Sequence, residues 1–322
     1  MNIKFNKKLF FFRFPSTIKN SKRKFNSKKG WIIKLSLNNS NNEGYGEIAP
    51  LNHEHIVLCE KQLNSIPQDI NKDKLLKKIY NFHPCIQSGI NSALGEMENL
   101  IKYKDQYKFS KINQSAILVD SHSVIEELKK IKLENISNPK ISTIKWKVGT
   151  RENKIEEKIL EKILNEYQNN IRLRIDANGS WDRKCAHKWA DILKTSKNLD
   201  WLEQPLGVDD IEGLYELNKK IPVALDESLL KYPNLINSWE GWQIRRPSQE
   251  KNPLKLLDEL NKNNKFKAIS SSFETGIGRR LLFHLSYIQL LGSTPKVPGL
   301  ALNQMPNTLL FGNDPKLIWS NL

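Results

Sequence analysis

From residue 115 onward, short apolar runs alternate with segments of helical periodicity, and this alternation limits the possible folds more than any other feature. Seven runs have the composition of strands, and a weaker eighth lies at 290–294; the seven are 115–119, 143–148, 171–175, 201–202, 223–225, 242–244 and 267–271. The segments 152–167 and 253–261 between them have the apolar spacing of helices. Alternating strands and helices build parallel sheets. Eight units predict a closed α/β barrel. An open doubly wound sheet is the alternative, but the sequence has no glycine-rich fingerprint after the early strands.

The region before residue 108 is β-rich and then helical. Strands are predicted at 9–14 and 31–37, separated by a basic, polar stretch at 19–29 that we expect to be a mobile loop. Residues 44–50 are predicted to form a turn, and 75–80 and 88–101 to form helices. This pattern predicts an α+β domain.

Composition excludes several classes of protein. The three cysteines have neither paired nor metal-ligand spacing, so the sequence predicts no disulfide framework and no zinc site. The apolar run at 9–12 ends at Arg13, and no segment approaches the roughly 18 apolar residues that a membrane helix needs. We therefore predict a soluble, cytoplasmic protein without a membrane partner.

The formal net charge of +16 raises the possibility of a nucleic-acid partner. Lysine is abundant along the whole chain and forms no stripe interleaved with aromatic residues. We expect no nucleic-acid partner, and a polyanion-binding protein remains the non-enzymatic alternative.

Charged residues stand at the C-terminal ends of five successive predicted strands, where the loops of a parallel barrel converge on one mouth. Lys147, Asp176, Glu203, Asp226 and Arg246 are separated by 29, 27, 23 and 20 residues, each close to one strand-helix repeat. A single carboxylate would be interpreted as a helix cap or a surface ion pair. The regular spacing instead predicts a ring of charges around the mouth.

Three of these residues, Asp176, Glu203 and Asp226, are carboxylates that would repel one another unless a cation lay between them. A set of oxygen ligands without histidine or cysteine favours a hard ion, Mg²⁺ first and Mn²⁺ second. Three protein ligands leave positions open for an anionic small-molecule substrate. The trio predicts a catalytic metal site.

Lys145 and Lys147 stand two apart in a strand and therefore project to the same face. If that face is the barrel interior, repulsion and burial would lower the pKa of a lysine until one of them can act as a base. A solvated lysine face of an edge strand is the alternative. Arg246 would add positive charge from the opposite side of the ring.

These strand ends, together with Gly44-Tyr45-Gly46-Glu47 and the segment 88–94, resemble the enolase superfamily and, within its muconate-lactonising-like branch, the o-succinylbenzoate synthase family. The resemblance implies a (β/α)7β TIM-like barrel at 109–300 behind an N-terminal α+β capping domain at 1–108. It also implies a C-terminal segment, 301–322, that packs back on the cap. The implied reaction is metal-assisted syn-dehydration of succinyl-hydroxycyclohexadiene-carboxylate in menaquinone or phylloquinone biosynthesis.

The resemblance also implies a role for each residue of the site. Lys147 would be the acid and base, Lys145 the neighbour that lowers its pKa, and Asp176, Glu203 and Asp226 the metal ligands. Substrate contacts would come from four further residues, Arg174, Asn178, Ser270 and Ser271.

Arg246 departs from the family pattern, which has a second lysine at this strand end. Arginine stays protonated in proteins and is a poor base. A racemase needs bases on both faces of its substrate, whereas a dehydratase can use one lysine twice. We therefore favour a dehydratase, with an N-acylamino acid racemase or a dipeptide epimerase as the enzymatic alternative.

Overall fold

The computed structural model describes residues 2–19, 24–37, 42–101, 103, 115–137, 140–167 and 169–322. The predicted boundary between cap and barrel, at residues 108 and 109, lies outside these ranges. Within them the chain forms an antiparallel sheet near the N-terminus and a parallel sheet after it. No helix in the described ranges is long and apolar enough to cross a membrane.

The N-terminal cap is a four-stranded antiparallel sheet with helices packed on one face. Its sheet order is β3-β2-β1-β4. The strands are β1 (Asn2–Lys19), β2 (Lys24–Leu37), β3 (Glu43–Ile48) and β4 (Asp69–Asn71), and the helices are α1 (Ile56–Asn64), α2 (Lys72–Ile79) and α3 (Pro84–Met97).

The hairpin of β1 and β2 is much longer than the sequence predicts. The expectation of a mobile loop at 19–29 is wrong for residues 24–29, which pair with β1, while 20–23 lie outside the described residues. The stretch was predicted to be a loop because it is rich in lysine, but the backbone of a hairpin can pair whichever side chains it carries. Phe10 pairs with Gly30 and Phe12 with the buried Lys28, and both phenylalanine rings are buried.

The predicted turn at 44–50 is also wrong, because its first five residues belong to β3. Helix α3 crosses this strand so closely that a Cβ on Gly44 would lie 1.9 Å from the carbonyl oxygen of Ala93. A Cβ on Gly46 would lie 2.0 Å from the carbonyl oxygen of Gly89. The glycines allow a helix to pack against a strand here and do not signal a turn.

Seven parallel strands follow one another around the second sheet in chain order. They are β5 (Ile117–Asp120), β6 (Ser142–Lys147), β7 (Ile171–Asp176), β8 (Leu199–Glu203), β9 (Val223–Leu225), β10 (Trp242–Arg245) and β11 (Lys267–Ile269). The helices between and after them are α4 (Val124–Ser137), α5 (Asn153–Glu166), α6 (Arg183–Leu193), α7 (Ile211–Asn218), α8 (Glu227–Lys231), α9 (Leu235–Ser238), α10 (Pro253–Asn261) and α11 (Gly276–Leu291). The predicted α/β class with an N-terminal cap is confirmed.

The eighth strand predicted at 290–294 is wrong, since α11 extends to Leu291 and carries that apolar run. The segment 298–300 instead joins the two ends of the parallel sheet. Gly299 donates to the carbonyl oxygen of Ile269 at 2.9 Å, and the carbonyl oxygen of Pro298 accepts from Ala116 at 3.0 Å. These bonds close the sheet into a ring.

Two sets of contacts tie the cap to the barrel and to the C-terminal residues. The ring centroid of Phe12 lies 4.8 Å from that of Phe311, and the last helix, α12 (Pro315–Ser320), contributes Ile318 to the same apolar cluster. Lys28 of β2 and Glu47 of β3 form an ion pair of 3.0 Å that reaches the loop after β11.

Candidate active site

A cavity of about 700 Å³ lies between the cap and the C-terminal ends of the barrel strands. The cap contributes Ile18, Leu51, His55 and His83 to its wall. Seven residues predicted for the site line it as well: Lys145, Lys147, Asn178, Asp226, Arg246, Ser270 and Ser271. The structure therefore brings most of the predicted site to one space shared by both domains.

Strand register places the charged residues of β6, β7 and β8 side by side. Lys147 is paired with Asp176, and Asp176 with Glu203. The ammonium of Lys147 lies 2.6 Å from Asp176 Oδ2, and that of Lys145 lies 2.9 Å from the same atom and 2.5 Å from Glu203 Oε1. Both carboxylates are fully buried at the base of the cavity.

Burial and the charges of neighbouring side chains determine the protonation of Lys145 and Glu203. Burial alone would lower the pKa of Lys145, but Asp176, Glu203 and Asp226 outweigh it and raise that pKa above its ordinary value. The pKa of Glu203 is raised to about 8, first by burial and then by Asp176. Lys145 therefore carries a positive charge beside Lys147.

Arg246 reaches the cavity from β10 and pairs with Asp226 through both carboxylate oxygens, at 2.7 and 2.5 Å. Its third contact is to the carbonyl oxygen of Ser271 at 2.5 Å. Burial would lower the pKa of Arg246, but Asp226 raises it above the ordinary value. Arg246 is therefore a fixed cation on the side of the ring away from β6.

Asn178 and a residue that the sequence analysis missed, Glu227, complete the base of the cavity. Asn178 adopts a left-handed conformation with φ of 49°, and its Oδ1 accepts from Lys147 at 2.9 Å while its Nδ2 donates to Glu227 Oε1 at 2.9 Å. The other oxygen of Glu227 is buried without a hydrogen-bond partner among the described residues. Glu227 could have been predicted as a site residue because it directly follows Asp226 in the sequence.

Arg174 and the two serines occupy different levels of the site. The guanidinium of Arg174 pairs with Asp200 at 3.0 Å and lies 4.2 Å from the ring of Trp201, inside the barrel and away from the cavity wall. Ser270 and Ser271 line the cavity. The hydroxyl of Ser271 donates to Glu274 at 2.7 Å, which fixes its orientation.

The chemistry of these residues fits a hard divalent cation. Asp176, Glu203 and Asp226 offer oxygen atoms from three adjacent strands, as Mg²⁺ prefers. Burial and Asp176 raise the pKa of Glu203, and one oxygen of Glu227 is buried without a hydrogen-bond partner among the described residues, so a cation beside these carboxylates would stabilise their charged forms. In the structure, Lys145 and Arg246 contact the oxygens that would bind the ion.

Comparisons with known proteins agree with this geometry. Residues 128–236 match the family model described as enolase C-terminal domain-like. The chain is 27% identical over 259 residues to o-succinylbenzoate synthase from Thermosynechococcus vestitus, which covers 75% of this chain and 76% of the relative. It is 26% identical over 222 residues to L-Ala-D/L-Glu epimerase from Francisella tularensis subsp. novicida, covering 62% and 60%.

A solved structure extends the likeness over the whole fold. The o-succinylbenzoate synthase from Thermosynechococcus elongatus BP-1, complexed with Mg in the active site, superposes with a TM-score of 0.77 and 22% identity. The match covers 99% of this chain and 100% of that one. These matches confirm the resemblance that the strand-end motifs indicated.

Proposed function

We propose that the protein is a metal-dependent dehydratase acting beside a carboxylate, since residues 128–236 match the enolase C-terminal domain-like family model. Its proposed reaction is the conversion of succinyl-hydroxycyclohexadiene-carboxylate to o-succinylbenzoate, a step of menaquinone or phylloquinone biosynthesis. Relatives named o-succinylbenzoate synthase support this choice. The observation that carries it is the asymmetry of the cavity, with two lysines on β6 and an arginine held by Asp226 opposite them.

Asp176, Glu203 and Asp226 would hold the metal, proposed to be Mg²⁺ with Mn²⁺ as the second choice. When bound, the ion would supply positive charge beside the substrate carboxylate. That charge matters because removal of the adjacent proton makes the carboxylate more negative, and buried electrostatic stabilisation is a large part of such catalysis. The solved relative with Mg in its active site supports this assignment.

Lys147 is proposed to move the proton. Its Nζ lines the cavity and is held in place by Asp176 at 2.6 Å and Asn178 at 2.9 Å. As a neutral amine, it would take the proton from the carbon next to the carboxylate. As an ammonium, it would then donate the same proton to the departing hydroxide on the same face of the ring, so that water leaves and the proton count balances.

Arg246 is proposed to stabilise negative charge and not to act as a base. Among the described residues that line the cavity, the lysines are Lys145 and Lys147, both on β6. Arg246 on the opposite side has a raised pKa, so no lysine serves the second face. This arrangement favours a dehydration that uses one face over racemisation, which uses two.

The test is an assay of the purified protein with Mg²⁺ and the proposed substrate, followed by the absorbance of the aromatic product. Wild-type protein should turn over, and a chelator should abolish the reaction. Lys147→Met should lower kcat by about 10²–10⁴-fold, the usual contribution of a general acid or base. Lys231→Met is the matched control, because that lysine is exposed on α8 and pairs with Asp209.

Absence of any absorbance change with freshly prepared, Mg²⁺-loaded protein would refute the proposal. The epimerase relatives provide the competing outcome. Solvent deuterium exchange at the α-carbon of both epimers of a dipeptide would assign the site to epimerisation instead.

A further inference from the structure

Two cysteines and a histidine meet in the cap, beside the wall of the cavity. Cys59 lies on α1, whereas His83 and Cys85 lie at the start of α3. The two sulfur atoms are 3.8 Å apart, and His83 Nδ1 is 3.1 Å from the sulfur of Cys85. Among the described residues, this is the group whose three potential ligand atoms all lie within 4.8 Å of one another. The 26-residue separation of the cysteines concealed it in the sequence.

The hydrogen bonds of His83 indicate that its Nδ1 is unprotonated, which is the state in which this atom can bind a metal. Its Nδ1 accepts from the backbone N–H of Cys85 at 3.3 Å, so Nε2 carries the hydrogen. Nε2 lies 2.9 Å from Nδ1 of His55, to which it donates. A histidine that binds a metal through one ring nitrogen commonly donates the hydrogen on the other nitrogen to a neighbouring acceptor. His55 supplies that acceptor here.

The distance between the sulfurs suits a tetrahedral ion. A zinc–sulfur bond of about 2.3 Å at the tetrahedral angle separates two sulfurs by about 3.8 Å, and the observed separation is 3.8 Å. A disulfide needs about 2.05 Å. Both cysteines are fully buried, where a thiolate is costly unless a cation or a donor accompanies it.

We propose that Cys59, Cys85 and His83 form a binding site for zinc. Two thiolates and an imidazole are the ligands that this borderline-soft ion prefers, whereas the carboxylates of the barrel suit a hard ion. The site would bridge α1 and α3 and hold His55 at the edge of the cavity. It is independent of the reaction proposed for the barrel.

The test uses the full-length, reduced protein in excess Mg²⁺, so that the barrel carboxylates are occupied, and titrates it with Co²⁺ and then Zn²⁺. One equivalent of Co²⁺ should produce a thiolate-to-cobalt charge-transfer band, which Zn²⁺ should remove. Oxygen ligands do not produce that band. Cys59→Ser and Cys85→Ser should each weaken or abolish it, whereas Cys185→Ser is the matched control and should keep it, because Cys185 lies on α6.

His55→Ala should weaken Zn²⁺ binding by about 10–100-fold, as loss of a partner to a ligating histidine does. His83→Gln removes the nitrogen ligand at a partly exposed position, so it remains informative if the buried cysteine variants fail to fold, and it should weaken binding at least as much. Absence of the charge-transfer band at one equivalent in wild-type protein would overturn the site. Unchanged Zn²⁺ affinity in His83→Gln would overturn it as well.

Discussion

Breaking the buried ion pair between Lys28 and Glu47 should destabilise the protein far more than breaking a partly exposed pair on the same sheet. The ammonium of Lys28 also donates to the carbonyl oxygens of Ser272 at 2.9 Å and Phe273 at 3.0 Å. Glu47 Oε2 accepts from the backbone N–H and the hydroxyl of Thr275, at 2.7 and 2.6 Å. The two side chains are 7% and 1% exposed.

The expected cost differs between the two partners. Removing one member of a buried pair costs about 3–5 kcal/mol of unfolding free energy, because the other charge stays buried without compensation. Glu47→Gln leaves Lys28 with only two carbonyl oxygens and should cost about 4–5 kcal/mol. Lys28→Met leaves Glu47 with Thr275 at the positive end of α11, so about 3 kcal/mol is expected. The double variant should cost less than the sum by about 2–3 kcal/mol.

Urea unfolding of the wild type, both single variants and the double variant measures this coupling. The control is the pair of Lys34 and Glu43, which joins the same two strands but has side chains 22% and 26% exposed. Breaking it should cost at most about 1 kcal/mol. Additive effects of Lys28→Met and Glu47→Gln within about 0.5 kcal/mol would refute the reasoning, as would equal costs for the buried pair and the partly exposed pair.

Three further outcomes are expected. Gly46→Ala should lower the unfolding free energy, measured in urea, by about 1–3 kcal/mol, since the new Cβ would lie 2.0 Å from a carbonyl oxygen of α3. The control Gly207→Ala, where the new Cβ would meet open space, should change the unfolding free energy by less than about 0.5 kcal/mol. Burial lowers the pKa of His284 to about 4, so the stability that its neutral form contributes is complete above pH 6.5 and is lost as the pH falls toward 4. In unfolding measured against pH, His284→Asn should reduce this loss of unfolding free energy by up to about 3 kcal/mol. Arg246→Met should free the oxygens of Asp226 and tighten Mg²⁺ binding about tenfold in calorimetry, and weaker binding would contradict the role assigned to their contact.

The barrel could be predicted from the sequence because each of its strands and helices is indicated by a local sequence pattern. An apolar run followed by a helical segment identifies each strand and its end, as at β9 and α10, whose observed bounds equal the predicted ones. In a parallel barrel the C-terminal ends of the strands lie at one mouth, whatever the conformation of the loops that connect them. The sequence alone therefore predicts that residues 147, 176 and 203 lie together.

The features that were missed depend on contacts between distant parts of the chain. The register of β1 against β2 decides that residues 24–29 are a strand, and the approach of α3 decides that β3 tolerates glycine. Spacing by two residues indicates which face Arg174 shares with Asp176, but not how deep in the barrel it lies. Nothing local marks the cap residues Ile18, His55 and His83 as walls of the cavity.

The segment 298–300, which closes the barrel, also determines when the protein can finish folding. Until that segment leaves the ribosome, β5 and β11 each have a sheet partner on one side only. Open strand edges are prone to pair with other chains. One apolar cluster of the cap is completed by residues still further along the chain, because Phe10 and Phe12 pack against Phe311 and Ile318. The first half of this chain therefore lacks both the contacts that close the barrel and some of the contacts that bury the cap sheet.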